Sequence, residues 1–190
     1  MRIVLGISGA SGVIMGYKML LALKSIPECE IHMIISNAGK ENFKIETDLD
    51  LEEIQSLADF YYDENDLAAR ISSGSFVTDG MIIIPCSMKT LSAIATGYSS
   101  NLMARAADVC LKENRKVVLV PRETPLGKIH LHNMSKAADF GCILVPPMLT
   151  FYNDSKTLEN QIDHLIGKIF MQFGWSYDKF MPWGGNSNDD

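Results

Sequence analysis

A doubly wound parallel α/β sheet is the fold this sequence predicts, and two patterns predict it. Short runs apolar on both faces alternate with stretches of helical spacing, as strands covered on both sides by crossover helices require. Four of these runs also stop abruptly in residues suited to gripping an anion. Ile3-Val4-Leu5 runs into Gly6-Ile7-Ser8-Gly9-Ala10-Ser11-Gly12, and His32-Met33-Ile34-Ile35 into Ser36-Asn37. Met81-Ile82-Ile83-Ile84 meets Pro85-Cys86-Ser87-Met88-Lys89-Thr90, and Val117-Val118-Leu119-Val120 meets Pro121-Arg122-Glu123-Thr124-Pro125. In parallel strands all four tips gather along one edge, where open α/β sheets bind ligands. The pattern predicts a Rossmann- or flavodoxin-like three-layer sandwich that holds a phosphate-bearing ligand.

The elements follow in order. Arg2 to Ile7 reads as a buried strand and Ser11 to Lys24 as a helix with Ile14, Met19, Leu20 and Leu23 apolar, stopped by Pro27. Glu30 to Ile35 is a second strand, Gly39 to Ile45 a short helix, and Leu51 to Phe60 an amphipathic helix. Tyr61 to Gly80 is polar and punctuated by Gly and Ser, with a short helix expected near Asp66 to Arg70. Met81 to Pro85 is a strand, after which Ser87 can cap a helix to Thr96 and Asn101 another to Asn114. Lys116 to Val120 is a strand, Ile129 to Phe140 a helix, Cys142 to Val145 the last strand and Leu158 to Phe173 the last helix.

At 190 residues the chain can bury one sizeable core, so one domain over 1–175 with a tail over 176–190 is expected. A formal charge of −6 argues against a general nucleic-acid surface. Cys29, Cys86, Cys110 and Cys142 form no CxxC pair and no metal-ligand spacing, which argues against structural zinc and a disulfide framework. That usage fits a reducing compartment. With no apolar run approaching the ~18 residues of a membrane span and no leader pattern, a cytoplasmic protein is expected.

The glycine-rich tip permits a tight turn and close backbone approach, and the helix start behind it offers N–H donors. Its spacing departs from G-x-G-x-x-G, and Ser36 stands where a dinucleotide site would have an acidic residue. A mononucleotide phosphate or flavin edge fits better than NAD. Ser87 and Thr90 could bond the same ligand or simply cap a helix. Two prolines bracket Arg122-Glu123, so a rigid loop can hold a guanidinium and a carboxylate near a reacting group.

Several further motifs are colinear with these: Ser72-Ser73-Gly74-Ser75 before Gly80-Met81, Asn101-Leu102 with Arg105-Ala106-Ala107-Asp108-Val109, Leu111-Lys112-Glu113, His130 with Asn133-Met134, and Phe151-Tyr152. Together they make the chain resemble, over nearly its whole length, the UbiX-type flavin prenyltransferases, once labelled small subunits of aromatic-acid decarboxylases. The resemblance implies a homododecamer with sites where subunits meet. It implies transfer of a dimethylallyl group from dimethylallyl phosphate to N5 and C6 of reduced FMN, with no metal, and delivery of the product to a UbiD-type decarboxylase. By the same resemblance Gly9, Ala10, Ser11, Ser36, Ser87, Met88, Lys89, Thr90 and Arg122 hold FMN. Tyr152 and Lys168 match positions that bind the allylic phosphate, Lys112, Arg122 and Glu123 share that pocket, and Glu46 matches an acidic residue near the flavin. Three departures stand out: Arg70 where the family has proline, Asn153-Asp154-Ser155 without the usual proline, and Lys168 for the commoner arginine.

The expected chemistry suits these residues. Breaking an allylic C–O bond leaves positive charge on carbon and negative charge on phosphate, which cationic side chains and a phenol would stabilise. An aromatic such as Trp183 could stabilise the cation. Glu46 is the expected base for the proton lost on ring closure, with Glu123 and Ser11 relaying protons to the departing phosphate. His130 and His132 read as capping or structural. Two other readings compete. One is a flavin-dependent decarboxylase of the phosphopantothenoylcysteine type, weakened because the only early histidine, His32, lies inside a strand. The other is a non-catalytic FMN-binding accessory subunit of a decarboxylase complex, which would have no use for a phosphate-cleaving set.

Overall fold

The structure, a computed structural model, describes residues 1–153 and 155–183. Asp154 and the last seven residues of the expected tail lie outside the described residues. The chain divides into two compact units, Met1–Pro146 and Pro147–Asp190.

The first unit is built on a parallel sheet in the order β3-β2-β1-β4-β5-β6, with β1 Arg2–Ile7, β2 Glu30–Ile35, β3 Phe60–Tyr62, β4 Gly80–Cys86, β5 Lys116–Pro121 and β6 Cys142–Leu144. Every strand pair is parallel. The order reverses between β1 and β4, the switch point at which such sheets open a crevice. Its helices are α1 Val13–Lys24, α2 Asn37–Glu46, α3 Leu51–Ser56, α4 Met88–Thr96, α5 Leu102–Lys112 and α6 Lys128–Asp139. Near-continuous apolar strands bury both faces, with Ile3, Leu5, Ile82 and Val118 buried on one, while on the other Val4, Met81, Ile83, Val117 and Leu119 pack with Leu91 and Ile94 of α4 and with Leu102, Met103, Ala106 and Cys110 of α5.

Helix ends follow local chemistry. Ser87 and Asn101 cap α4 and α5 by accepting from Thr90 N–H at 3.3 Å and Ala104 N–H at 3.0 Å, and Gly97 ends α4 in the left-handed region at φ 68°. Ser11 does not start α1. Gly12, left-handed at φ 95°, precedes Val13, because the turn out of β1 needs a conformation that glycine adopts without a Cβ penalty. The strands of the expected alternation are all present.

Two further expectations change. The helix expected over Leu51 to Phe60 ends at Ser56, and Phe60–Tyr62 becomes the edge strand β3 beside β2. Tertiary contacts decide this: the Phe60 ring stacks on His32 at 4.8 Å, and Tyr62 Oη lies 2.8 Å from His32 Nδ1. The short helix expected near Asp66 to Arg70 is a series of turns ending in a 3-10 turn over Arg70–Ser72. Arg70 stands over the Phe60 and Phe76 rings at 4.7 and 5.5 Å, a cationic role that proline could not fill.

The second unit carries α7, Leu158–Phe173, capped by Thr157 and closed by left-handed Gly174. Among the described residues, no helix is long and apolar enough to cross a membrane.

Candidate functional site

The four strand tips are sewn together across the sheet. Ser36 N–H donates to Ile7 O at 3.0 Å, joining the ends of β2 and β1. Ser8 joins β1 to β4: its N–H and its hydroxyl both donate to Pro85 O, at 3.2 and 2.9 Å, and its Oγ accepts from Ser87 N–H at 2.7 Å. Arg122 N–H donates to Cys86 O at 3.1 Å and ties the β5 tip to β4. The pairing of β4 with β5 slips between Ile83 and Cys86, where the Ile84–Pro85 peptide is cis. Close packing reinforces the seam, since a Cβ on Gly9 would collide with the Ala38 side chain and one on Gly39 would come within 2.8 Å of Ile7 O.

The helix starts along this edge differ in electrostatic character. Glu46, the last residue of α2, places Oε2 2.7 Å from Gly12 N and 3.2 Å from Val13 N, so a carboxylate closes the start of α1. Buried Glu64 does the same for α2, accepting from Asn37 N–H at 2.7 Å while its other oxygen accepts from Asn101 Nδ2 at 2.9 Å. The start of α4 has no acidic residue in its first turn. The N–H groups of Met88 and Lys89 there have no carbonyl within the helix to bond. Ser87 Oγ and Thr90 Oγ1 lie 3.1 Å apart beside them, and the Lys89 side chain is exposed. Donor N–H groups, hydroxyls and a cation in one turn fit a phosphate group.

The residues expected at the cofactor site therefore all lie along this rim: Gly9, Ala10 and Ser11 on the β1 tip, Ser36 on β2, Ser87 to Thr90 on β4 and Arg122 on β5. Ser36 Oγ accepts from Gly39 N–H at 3.1 Å, which leaves its hydroxyl hydrogen for another partner. Arg122 and Glu123 are both exposed on their loop, and Glu123 Oε1 accepts from Thr124 N–H at 3.0 Å. Lys112 is not brought to this rim. It ends α5 just before β5 begins, at the opposite edge, where it pairs with Glu113 at 2.6 Å beside Gly74. That pairing lowers the Glu113 carboxyl below its ordinary range.

Within the second unit, Tyr152, Lys168 and Trp183 are gathered around two residues that the sequence did not single out. Trp183 meets the Tyr152 ring edge-on at 5.5 Å, and Tyr152 Oη lies 3.4 Å from His164 Nε2. The Phe180 ring packs on His164 at 5.1 Å and lies under the Lys168 ammonium at 5.7 Å. Gly167 makes room for it, because any Cβ there would overlap the Phe180 ring. The periodicity of α7 places His164 one turn before Lys168, the residue of that face that the resemblance marked, but nothing in the sequence marked His164 itself. Glu64 was hidden in a polar stretch, and Ser8 of the glycine-rich tip has both its hydrogen and an acceptor site committed to the β4 tip.

A parallel sheet with a Rossmann strand order, whose switch point is ringed by hydroxyls and one helix start free of acidic side chains, defines a nucleotide-phosphate-binding α/β protein. The Flavoprotein family model matches residues 1–174. A probable UbiX-like flavin prenyltransferase of Sedimentibacter hydroxybenzoicus is 63% identical over all of both chains, and the flavin prenyltransferase UbiX of Escherichia coli K12 is 45% identical over 97% of this chain and 98% of its own. Among solved structures, a dodecameric FMN-dependent UbiX-like decarboxylase from Escherichia coli O157:H7 superposes with a TM-score of 0.95 at 45% identity, covering 97% of this chain and 100% of that one. AnUbiX in complex with FMN and dimethylallyl pyrophosphate gives 0.94 at 43%, covering 97% of each. The chain belongs to the Flavoprotein family and, within it, to the UbiX-like flavin prenyltransferases.

Proposed function

We propose that this protein joins the dimethylallyl group of dimethylallyl phosphate to reduced FMN, at N5 and C6, and passes the prenylated flavin to a UbiD-type decarboxylase in the cytoplasm. Family membership supports the reaction. The observation that carries the reading is the seam at the switch point, which sets the first turn of α4, whose amides bond no carboxylate among the described residues, beside the glycine tip and the Arg122-Glu123 loop.

FMN, when bound, supplies the electron-rich ring that accepts the allyl group. Its phosphate suits Ser36, Ser87, Thr90, Lys89 and the amides of Met88 and Lys89, while Gly9, Ala10, Ser11 and Arg122 complete the holding set. Lys112, Arg122, Lys168 and the Tyr152 phenol stabilise the charge that develops on the leaving phosphate. Glu46 has one oxygen fixed by two amides, so Oε1 is the atom that takes the proton released on ring closure. Glu123 and Ser11 would relay a proton to the departing phosphate, and the Trp183 ring would stabilise the cationic carbon. Lys112 stands at the far edge of its own sheet, so we assign it to a neighbouring subunit's pocket, which fits an oligomer like the dodecameric relative.

The test is anaerobic incubation with reduced FMN and dimethylallyl phosphate, followed by the mass of the extracted flavin. A gain of one dimethylallyl unit is expected. An unchanged mass would reject the transferase in favour of an FMN-binding accessory subunit.

A further inference from the structure

We infer that His164 is a positioning residue for the prenyl donor: it donates from Nε2–H to the Tyr152 oxygen and so leaves the phenolic hydrogen for the donor's phosphate. The inference rests on the proposed role of Tyr152 and adds a residue that the family resemblance did not supply.

His164 lies on α7 and is only 5% exposed, whereas Tyr152 is 47% exposed, so one partner is fixed and the other open to a ligand. Nε2 and Oη are 3.4 Å apart, and the rings meet edge-on at 5.7 Å. That separation is long for a hydrogen bond and can tighten when a ligand draws the phenol. The direction of the bond follows from the rest of the ring. Nδ1 is buried and has no hydrogen-bond partner among the described residues. A neutral imidazole carries one N–H, and burying that N–H unpaired is less favourable than burying a bare ring nitrogen. The proton therefore belongs on Nε2, where an acceptor stands. A phenol that accepts from histidine keeps its own hydrogen to donate.

Charge near the ring reinforces this. Lys168 lies one turn further along α7, and Lys179 lines the same cavity of about 120 Å³ as His164, Asn153 and Asn160. Asp163, 4.0 Å from Lys179, is already bonded to Tyr177 Oη at 2.7 Å. Burial and the Lys168 charge push His164 below its ordinary value, so it is neutral near pH 7. On acidification it becomes a cation with a stronger N–H donor, and it adds positive charge beside the phosphate residues.

Steady-state kinetics on the FMN-loaded enzyme tests this. His164→Phe keeps the aromatic packing and loses the donor, so KM for dimethylallyl phosphate is expected to rise about 5- to 10-fold with kcat little changed, the effect of one lost hydrogen bond. In a Tyr152→Phe background the same substitution is expected to change KM no further. His164→Gln, whose amide can still donate, is expected to keep KM near that of the wild type at neutral pH, and it decides the matter should His164→Phe lose FMN. Equal effects of His164→Phe with and without Tyr152, or a KM in His164→Gln as high as in His164→Phe, would overturn the inference while leaving the prenyltransferase intact. A wild-type enzyme that leaves the flavin mass unchanged would overturn both.

Discussion

The two helices that begin at the switch point, α1 and α4, have the same topological position and opposite electrostatics. The start of α1 is closed by the Glu46 carboxylate on Gly12 and Val13 N–H, while α4 begins with a serine cap and an exposed lysine, and among the described residues no carboxylate bonds its first-turn amides. A helix start has partial positive charge, worth roughly 0.3–1 kcal/mol to a nearby anion at an exposed site. At α1 the protein has already supplied that anion, and at α4 it has not. Glycine-rich character alone would have directed the phosphate to α1. The comparison directs it to α4 and leaves the α1 side to a fixed carboxylate that can work on protons.

Glu46→Gln is the strongest way to break this division. Glutamine retains an oxygen to accept from Gly12 N–H, so α1 keeps its closure, but the side chain can no longer take a proton. Turnover is expected to fall by about 100-fold or more, the usual scale for a lost general base. FMN binding, followed by flavin fluorescence, should be unchanged. Full turnover with FMN bound would remove Glu46 from the chemistry and reduce it to a helix cap.

Ser87→Ala sharpens the other side. It removes the α4 cap, which costs about 1 kcal/mol, and one hydroxyl from the proposed phosphate cradle. FMN affinity is expected to fall roughly 10-fold, the scale of one hydrogen bond to a charged group. Turnover at saturating FMN should change far less than in Glu46→Gln. Equal loss in both variants, in the same kinetic parameter, would mean that the two helix starts serve one function.

What the sequence revealed follows the same boundary between strands and their partners. Val117 to Val120 and Met81 to Ile84 could be read directly, because a strand buried on both faces is apolar at every position and its end is marked by proline, glycine or serine. The rim residues became legible with the strands. β3 was not, because Phe60-Tyr61-Tyr62 is an edge strand of three residues whose pairing depends on His32, distant in sequence. Glu64 and His164 were missed for the same reason: each acts through a neighbour that only folding supplies, Asn37 and Asn101 for one and Tyr152 for the other. Lys112 shows the reverse case. Its motif was visible, but the topology that carries it to the opposite edge was not.

That opposite edge offers a control with a small effect. A chain begins there with Arg2 and Glu30 and continues through His32 to Tyr62: Arg2 Nε donates to Glu30 Oε1 at 2.6 Å, the same oxygen lies 2.7 Å from His32 Nε2, and His32 Nδ1 meets Tyr62 Oη. The bonds from Arg2 and His32 hold the Glu30 carboxyl at about 2, below its ordinary 4.5. Burial lowers His32 below its ordinary 6.5, although its bond to Glu30 opposes the shift. For both groups the unfolded chain binds the proton more readily, so stability falls as pH falls. The His32 contribution is lost first, below pH 6.5, and the Glu30 contribution is lost between pH 4.5 and about 2. Thermal unfolding against pH should show both limbs in the wild type and a shallower lower limb in Glu30→Gln. Neither limb should depend on the proposed FMN contacts, because the two titrating groups, Glu30 and His32, lie in the first half of β2, away from the rim that holds α1 and α4. An FMN affinity that fell in Glu30→Gln at neutral pH would show that the two edges of the sheet are coupled, and the contrast between the helix starts would then no longer be local.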